Sequence, residues 1–323
     1  MLINCVAYER GRKLADITVE AISDYLIRPD CFVWVALKDP GPGELAMMQH
    51  EFGLHDLAVE DARKTNQRPK LDEYGDELFC VLKTIEIDSE GQEFSVGELD
   101  IFVGPNYVLS VRSGTMRGFV DVRNRAEREP HLLKQGSGFV FYALMDAVVD
   151  RYFPVIDALE ADLETVESQI FVRGTARSNI ERLYELKRKI GEVKHAVGPL
   201  MEATGKLTSG RVPAVCATSR DYFRDVHDHL ARINATLDNL RDTIGTAIQV
   251  NLSMVAIEES EVNKRLTAWA GIFAVASMFA SIWGMNFKNM PELQFQYGYP
   301  MALAVIVTTC SLLYRGFKRS GWL

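Results

Sequence analysis

The chain has 323 residues, a quarter of them charged, with a formal net charge of −8 at pH 7. That acidic balance argues against nucleic acid as a partner, because phosphate binding needs a basic excess. Five scattered cysteines (Cys5, Cys31, Cys80, Cys216, Cys310) form no C-x-x-C, so neither a zinc ribbon nor a disulfide framework is indicated.

The opening MLINCVAYERGRKLAD lacks an apolar run long enough for a secretory signal, which leaves the N-terminus expected in the cytoplasm. Residues 1–135 read as a cytoplasmic α/β domain. CFVWVALK (31–38), ELFCVLKTIEI (77–87), VGELDIFVG (96–104) and NYVLSVR (106–112) are rich in β-branched and aromatic residues, as strands are. Helical stretches lie around 43–52, 56–64 and 117–127, and Gly104-Pro105-Asn106 joins two strands tightly enough for an antiparallel pair. The expected arrangement is an α/β/α sandwich.

Residues 136–265 read as a cytoplasmic helical region ending in a stalk. Two charged helices are expected over 139–172 and 178–207, broken near Arg173-Gly174-Thr175, with Gly198-Pro199 distorting the second. In the third, Phe223, Val226, Leu230, Ile233, Leu237, Leu240, Ile244 and Ala247 alternate spacings of three and four, a heptad seam that fades near Asn251. No Pro interrupts the chain after Pro213 until the first apolar span has ended, so one helix of roughly 100 Å is expected from about Thr218 to Asn286.

Residues 266–323 read as a transmembrane hairpin. Leu266–Trp283 and Tyr297–Tyr314 carry no charge. Eighteen helical residues span roughly 27 Å, about the thickness of the hydrocarbon core. Trp269, Trp283, Tyr299 and Tyr314 stand near the ends as interfacial residues do, and spans of about 266–286 and 297–314 follow. Lys264 and Arg265 precede the first span; Arg315, Lys318 and Arg319 follow the second, whereas the connecting segment offers Lys288 alone. The positive-inside rule then puts both termini in the cytoplasm and the short loop outside.

Two helices cannot enclose a lumen, so conduction would require several copies around an axis. One face of the first span carries Asn263, Thr267, Ala270, Ala274, Ser277, Ser281 and Met285, small or polar and without a carboxylate. Small residues also serve close helix packing, and both readings stand for this face. Where the span reaches the outer surface, Gly284 and Asn286 would give a ring of neutral oxygen ligands that holds a hydrated cation without stripping it. An Asn there also suits a plain helix end. For enzymatic readings the residues offer little: GPLMEATGKL (198–207) has the wrong spacing for a phosphate loop and lies in helical sequence, and no Ser-His-Asp set appears. No enzyme is expected.

WGMNFKNMPEL (283–293), followed by YGYP (297–300), resembles the CorA family of magnesium channels. So do HDLAVEDARKTNQRPKLDEYGDELFCVLK (55–83) and YFRDVHDHL (222–230), so the resemblance touches the N-terminal domain, the stalk and the hairpin. It implies a funnel-shaped homopentamer in the plasma or inner membrane, with membrane lipid around it and the first spans lining the pore. The implied function is passive, potential-driven Mg²⁺ uptake, with Co²⁺ and Ni²⁺ as further cargo. The implied filter is Gly284, Met285 and Asn286, with Glu292 in the outer loop and Leu266 at the constriction. The implied regulatory Mg²⁺ sites pair Asp61 of one subunit with Asp225 of the next, and use Glu60 and Asp146 at a second site. The chain departs from the family pattern where Val275 stands for a mid-span Pro and Ser281 for a Gly; Asn263 and Ala274 also replace other residues. The zinc-transporting ZntB branch shares the fold and Gly-Met-Asn; it is the alternative.

Overall fold

Seven strands form one sheet in the order β2-β1-β3-β7-β6-β5-β4. The strands are β1 (Leu2–Glu9), β2 (Arg12–Asp16), β3 (Cys31–Lys38), β4 (Lys70–Tyr74), β5 (Glu77–Ile87), β6 (Phe94–Gly104) and β7 (Tyr107–Ser113). Among the described residues, only β3 and β7 pair in parallel, because the chain leaves β3, makes two helices and three strands, and returns beside it. The computed structural model describes residues 1–87, 94–208, 212–286, 290 and 296–323. They divide into two compact units: Met1–Ser168 with Glu181–Thr246, and Gln169–Ile180 with Ala247–Leu323.

In the first unit the period-two alternation of the strands sorts side chains onto two faces. Val33, Val35 and Leu37 of β3 join Phe79 and Val81 of β5 in a core with α1 (Ile22–Leu26), α2 (Pro42–Phe52) and α3 (Asp56–Arg63). The other face is covered by α4 (Val120–Arg128), α6 (Ser137–Asp150) and α7 (Tyr152–Gln169), a short α5 (Pro130–Leu133) lying between α4 and α6. There Tyr8 packs on Trp34, with ring centroids 6.4 Å apart, and its hydroxyl donates to Glu127 Oε1 of α4 at 2.8 Å. The α/β/α layering is present.

The strands over 31–38 and 77–87 lie where the sequence puts them, while β1, β2 and β4 carry no strong signal. β1 and β2 join through Arg10 and Gly11, both at positive φ (50° and 81°), a tight hairpin turn without the usual Asn-Gly. A Cβ at Gly11 would meet Pro130 O at 2.1 Å, so no other residue fits. β4 (KLDEY) is an edge strand, mostly polar because one face and one edge meet water.

The helix expected over 139–172 is two helices, parted at Arg151. Arg151 turns inward to pair with Glu86 Oε1 at 3.1 Å and to donate to Gly118 O at 2.6 Å. Pro154 then falls in the first turn of α7, where its missing N–H is no loss. The next helix, α8 (Ala176–Thr208), runs through Pro199. The long helix α9 spans Arg220–Trp283. Its seam is buried from Phe223 to Ile244, no residue of it above 6% exposed. Within this unit α8 runs against α9: Lys194 pairs with Asp238, and Thr204 Oγ1 lies 3.1 Å from His227 Nδ1.

In the second unit the seam ends in a polar contact. Asn251, fully buried, donates its amide to Ala176 O at 2.7 Å. Asn179 beside it donates to Gln169 O and Thr175 Oγ1, both at 3.2 Å. The seam fades at Asn251 because an amide takes over from apolar packing. The last helix, α10, spans Gly298–Arg319.

Candidate functional site

The helical segments ending at Trp283 and spanning Gly298–Arg319 are long and apolar enough to cross a membrane. They pack through one stripe of α9. Ala268 and Ile272 are buried, Cys310 Sγ lies 3.9 Å from Ile272 O, and the Trp269 and Tyr314 rings are 6.3 Å apart. At about 100° per residue, Asn263, Thr267, Ala270, Ala274, Ser277 and Ser281 centre on the opposite side of the helix. All six are exposed, and Leu266, 63% exposed, stands at the edge of their stripe. The pair therefore uses its apolar stripe on itself and leaves its amide and hydroxyl stripe bare. The Asn263 amide and the Thr267, Ser277 and Ser281 hydroxyls make this face better suited to water or further protein than to lipid tails.

The stripe leads to the end of the helix. α9 stops at Trp283, earlier than Asn286, and Gly284 N then donates to Ala280 O at 3.0 Å and Met285 N to Ile282 O at 3.3 Å. Gly284 follows the last residue of α9, and without a side chain it leaves its backbone uncovered. Gly284, Met285 and Asn286 are exposed, one after another. The negative end of the helix dipole lies at the same place, which favours cations without a carboxylate. Glu292 lies outside the described residues.

The candidate regulatory carboxylates are all in the first unit. On α3, Asp61 Oδ2 accepts from Lys70 Nζ at 2.8 Å, and the same ammonium donates to Asp72 Oδ2 at 2.5 Å. Glu60 next to it pairs with Lys64. On α9, the Asp225 side chain is 61% exposed, with His229 Nε2 3.9 Å away, one helical turn on. Asp146 of α6 accepts from Arg125 NH2 at 3.0 Å. Burial raises the Asp146 carboxyl above its ordinary range, and the Arg125 hydrogen bond works against that rise. Ligand atoms of Asp146, Asp225 and His229 all lie within 4.8 Å of one another. His229 Nδ1 is buried without a hydrogen-bond partner. Two carboxylates and an imidazole suit a divalent cation, the nitrogen adding some preference for transition metals.

The structure thus brings Asp146 and Asp225 together, with Asp61 and Glu60 outside that group and each held by a lysine. Three participants escape a reading by residue type: Lys70, Arg125 and His229. Only His229 left a signal, its i, i+4 spacing from Asp225.

Residues 30–319 match the model of the family described as CorA-like Mg²⁺ transporter protein. The chain belongs to that family. The CorA-like family is one of transporters, not enzymes. Among curated relatives, the cobalt/magnesium transport protein CorA of Thermotoga maritima is 32% identical over 273 residues, 84% of this chain and 78% of its own length. The putative metal ion transporter YfjQ of Bacillus subtilis is 27% identical across 99% of this chain and 98% of its own. Among solved structures, the complete CorA magnesium transporter of Methanocaldococcus jannaschii shares the fold, with TM-score 0.80, 20% identity and full coverage of both chains. The ZntB cytoplasmic domain of Vibrio parahaemolyticus shares it at TM-score 0.56 and 14% identity, covering 78% of this chain and 98% of that one.

Proposed function

We propose that this CorA-family chain forms a passive, membrane-potential-driven Mg²⁺ uptake channel. Five copies surround an axis as a funnel, both termini cytoplasmic, in the plasma or inner membrane. The observation that carries the reading is the bare small and polar stripe of α9, opposite its α10-packing side and ending at Gly284-Met285-Asn286. Turned to a common axis, the stripe wets the pore, and the Asn286 amides with the Gly284 carbonyls hold the hydrated ion at the outer mouth. Residues 1–135 carry Asp61 and Glu60, 136–265 carry Asp146 and Asp225 and lead to the membrane, and 266–323 conduct.

Internal Mg²⁺ closes the channel. Asp61 of one subunit and Asp225 of the next repel one another when empty, and a divalent ion turns that repulsion into a clamp, with Glu60 and Asp146 at a second site. Co²⁺ and Ni²⁺ are further cargo, since a filter for hydrated ions reads size and charge before ligand chemistry. The names of the Thermotoga and Methanocaldococcus proteins support both Mg²⁺ and Co²⁺.

Uptake by the purified protein in liposomes, with internal Mg²⁺ varied, tests the reading. Mg²⁺ enters with an inside-negative potential and slows as internal Mg²⁺ rises; Asn286→Ala cuts entry at least tenfold while assembly persists. Unchanged entry in that variant refutes the filter. Zn²⁺ uptake that requires a proton gradient would favour the ZntB type of transport instead.

A further inference from the structure

An open groove of about 800 Å³ runs between α9 and α10 near the basic end of α10. Its walls are of two kinds. Ile272, Val307 and Trp269 make an apolar channel, and Arg315 and Lys318 close one end, with Ser311 between them. Lys318 Nζ stands 5.9 Å from the Tyr314 ring centroid, and Trp269 and Tyr314 mark the depth at which amphipathic rings settle in a bilayer. No Asp or Glu occurs in α10. Among the described residues, none of Arg315, Lys318 and Arg319 has a carboxylate partner.

We infer that this groove binds an anionic phospholipid from the cytoplasmic leaflet. Its phosphate lies on Arg315 and Lys318, and one acyl chain lies along Val307 and Ile272. The inference rests on the hairpin reading, which places the basic end of α10 at the cytoplasmic surface. Charge complementarity selects the occupant: two cations without a carboxylate partner at headgroup depth attract an anionic headgroup, and the groove beyond them is lined mainly by apolar side chains, as an acyl chain requires. Ile272 faces away from the stripe proposed to line the pore, so lipid can reach the groove in the assembled channel.

The test is native mass spectrometry of the full-length protein in detergent, with phosphatidylglycerol and phosphatidylcholine supplied in equal amounts. Wild type retains phosphatidylglycerol in preference. Arg315→Gln with Lys318→Gln lowers that preference about fivefold per charge removed. Arg319→Gln, outside the groove, leaves it unchanged. Val307→Trp fills the channel at an exposed position and abolishes retention without altering charge. Equal retention of both lipids, loss of preference in Arg319→Gln, or displacement of the lipid by inorganic phosphate each overturns the site. So does an absence of adducts, whatever else covers the groove, a second copy included. Mg²⁺ uptake by wild type in pure phosphatidylcholine liposomes is read separately, so failure of the channel reading and failure of the lipid site are distinct results.

Discussion

Lys70 offers a direct probe of the proposed gate. Its ammonium holds Asp61 at 2.8 Å and Asp72 at 2.5 Å, all three side chains between about a quarter and two-fifths exposed. A divalent ion bonded directly to Asp61 Oδ2 would lie no more than about 5 Å from that ammonium, given Mg–O bonds near 2.1 Å. With water's dielectric constant the repulsion between +2 and +1 at that distance is about 1.7 kcal/mol. Screening by salt and an outer-sphere ion lower it; partial burial raises it, leaving about 1–2 kcal/mol. Lys70→Met removes that repulsion and keeps most of the apolar stem. The internal Mg²⁺ giving half-maximal closure should fall about five- to thirtyfold. Currents or liposome uptake at graded internal Mg²⁺ measure it, with Lys13→Met, whose partner is Asp16, as the control. A midpoint that stays put or rises refutes the reasoning: it would mean that Lys70 orders the site, or that Asp61 never meets the ion.

Four further outcomes are expected. His229→Ala weakens Co²⁺ and Ni²⁺ inhibition of transport more than Mg²⁺ inhibition, because imidazole prefers those metals; equal weakening removes the imidazole from the site. Asn286→Asp slows Mg²⁺ exit from the filter, seen as lower maximal flux with tighter half-saturation, and faster flux contradicts the neutral ring. Asp100, 1% exposed with both oxygens unpartnered, has its carboxyl raised well above its ordinary range by burial and then by Glu98. A carboxyl raised in the folded state stabilises fully below its unfolded pKa and loses that contribution as pH rises through the folded value. Thermal melts of wild type should therefore fall between pH 5 and 8, whereas Asp100→Asn flattens that slope and melts higher at pH 8. Leu230→Ala empties a fully buried seam position and should cost about 2–5 kcal/mol in chemical unfolding, and a loss below 1 would contradict the α8–α9 packing.

Which features the sequence displays follows from their physics. The central strands 31–38 and 77–87 are legible because both faces are covered, so each reads as a dense apolar run. β2 and β4 are not, because an edge strand keeps polar residues to stay soluble. The junction at Arg151 is hidden because a buried Arg–Glu pair, joining residues 65 apart in sequence, decides it. The stripe from Asn263 to Ser281 is legible because helical periodicity survives without a partner. Asp146 and Asp225 become one group only when α6 and α9 pack, which no local pattern encodes. The lysine and arginine that hold Asp61 and Asp146 are equally silent, since surface cations are everywhere in a chain with 36 of them.

Those counter-cations bear on how tight a magnesium sensor should be. A divalent ion moving inward across 100 mV gains about 4.6 kcal/mol, over a thousandfold in concentration, so the proposed channel would need no fuel, only a gate. A gate that closed at micromolar Mg²⁺ would stay shut in a cell holding millimolar amounts, so a useful site binds with only about 4 kcal/mol. Bare facing carboxylates overshoot that figure easily. Here Asp61 is already answered by Lys70 and Asp146 by Arg125, while Asp225 is largely in water. An arriving ion must displace or share those internal cations and finds only one carboxylate without a strong one. On the proposed mechanism this is what keeps closure reversible at millimolar levels, and it places the gate's set-point in the basic residues rather than in the acids that touch the ion.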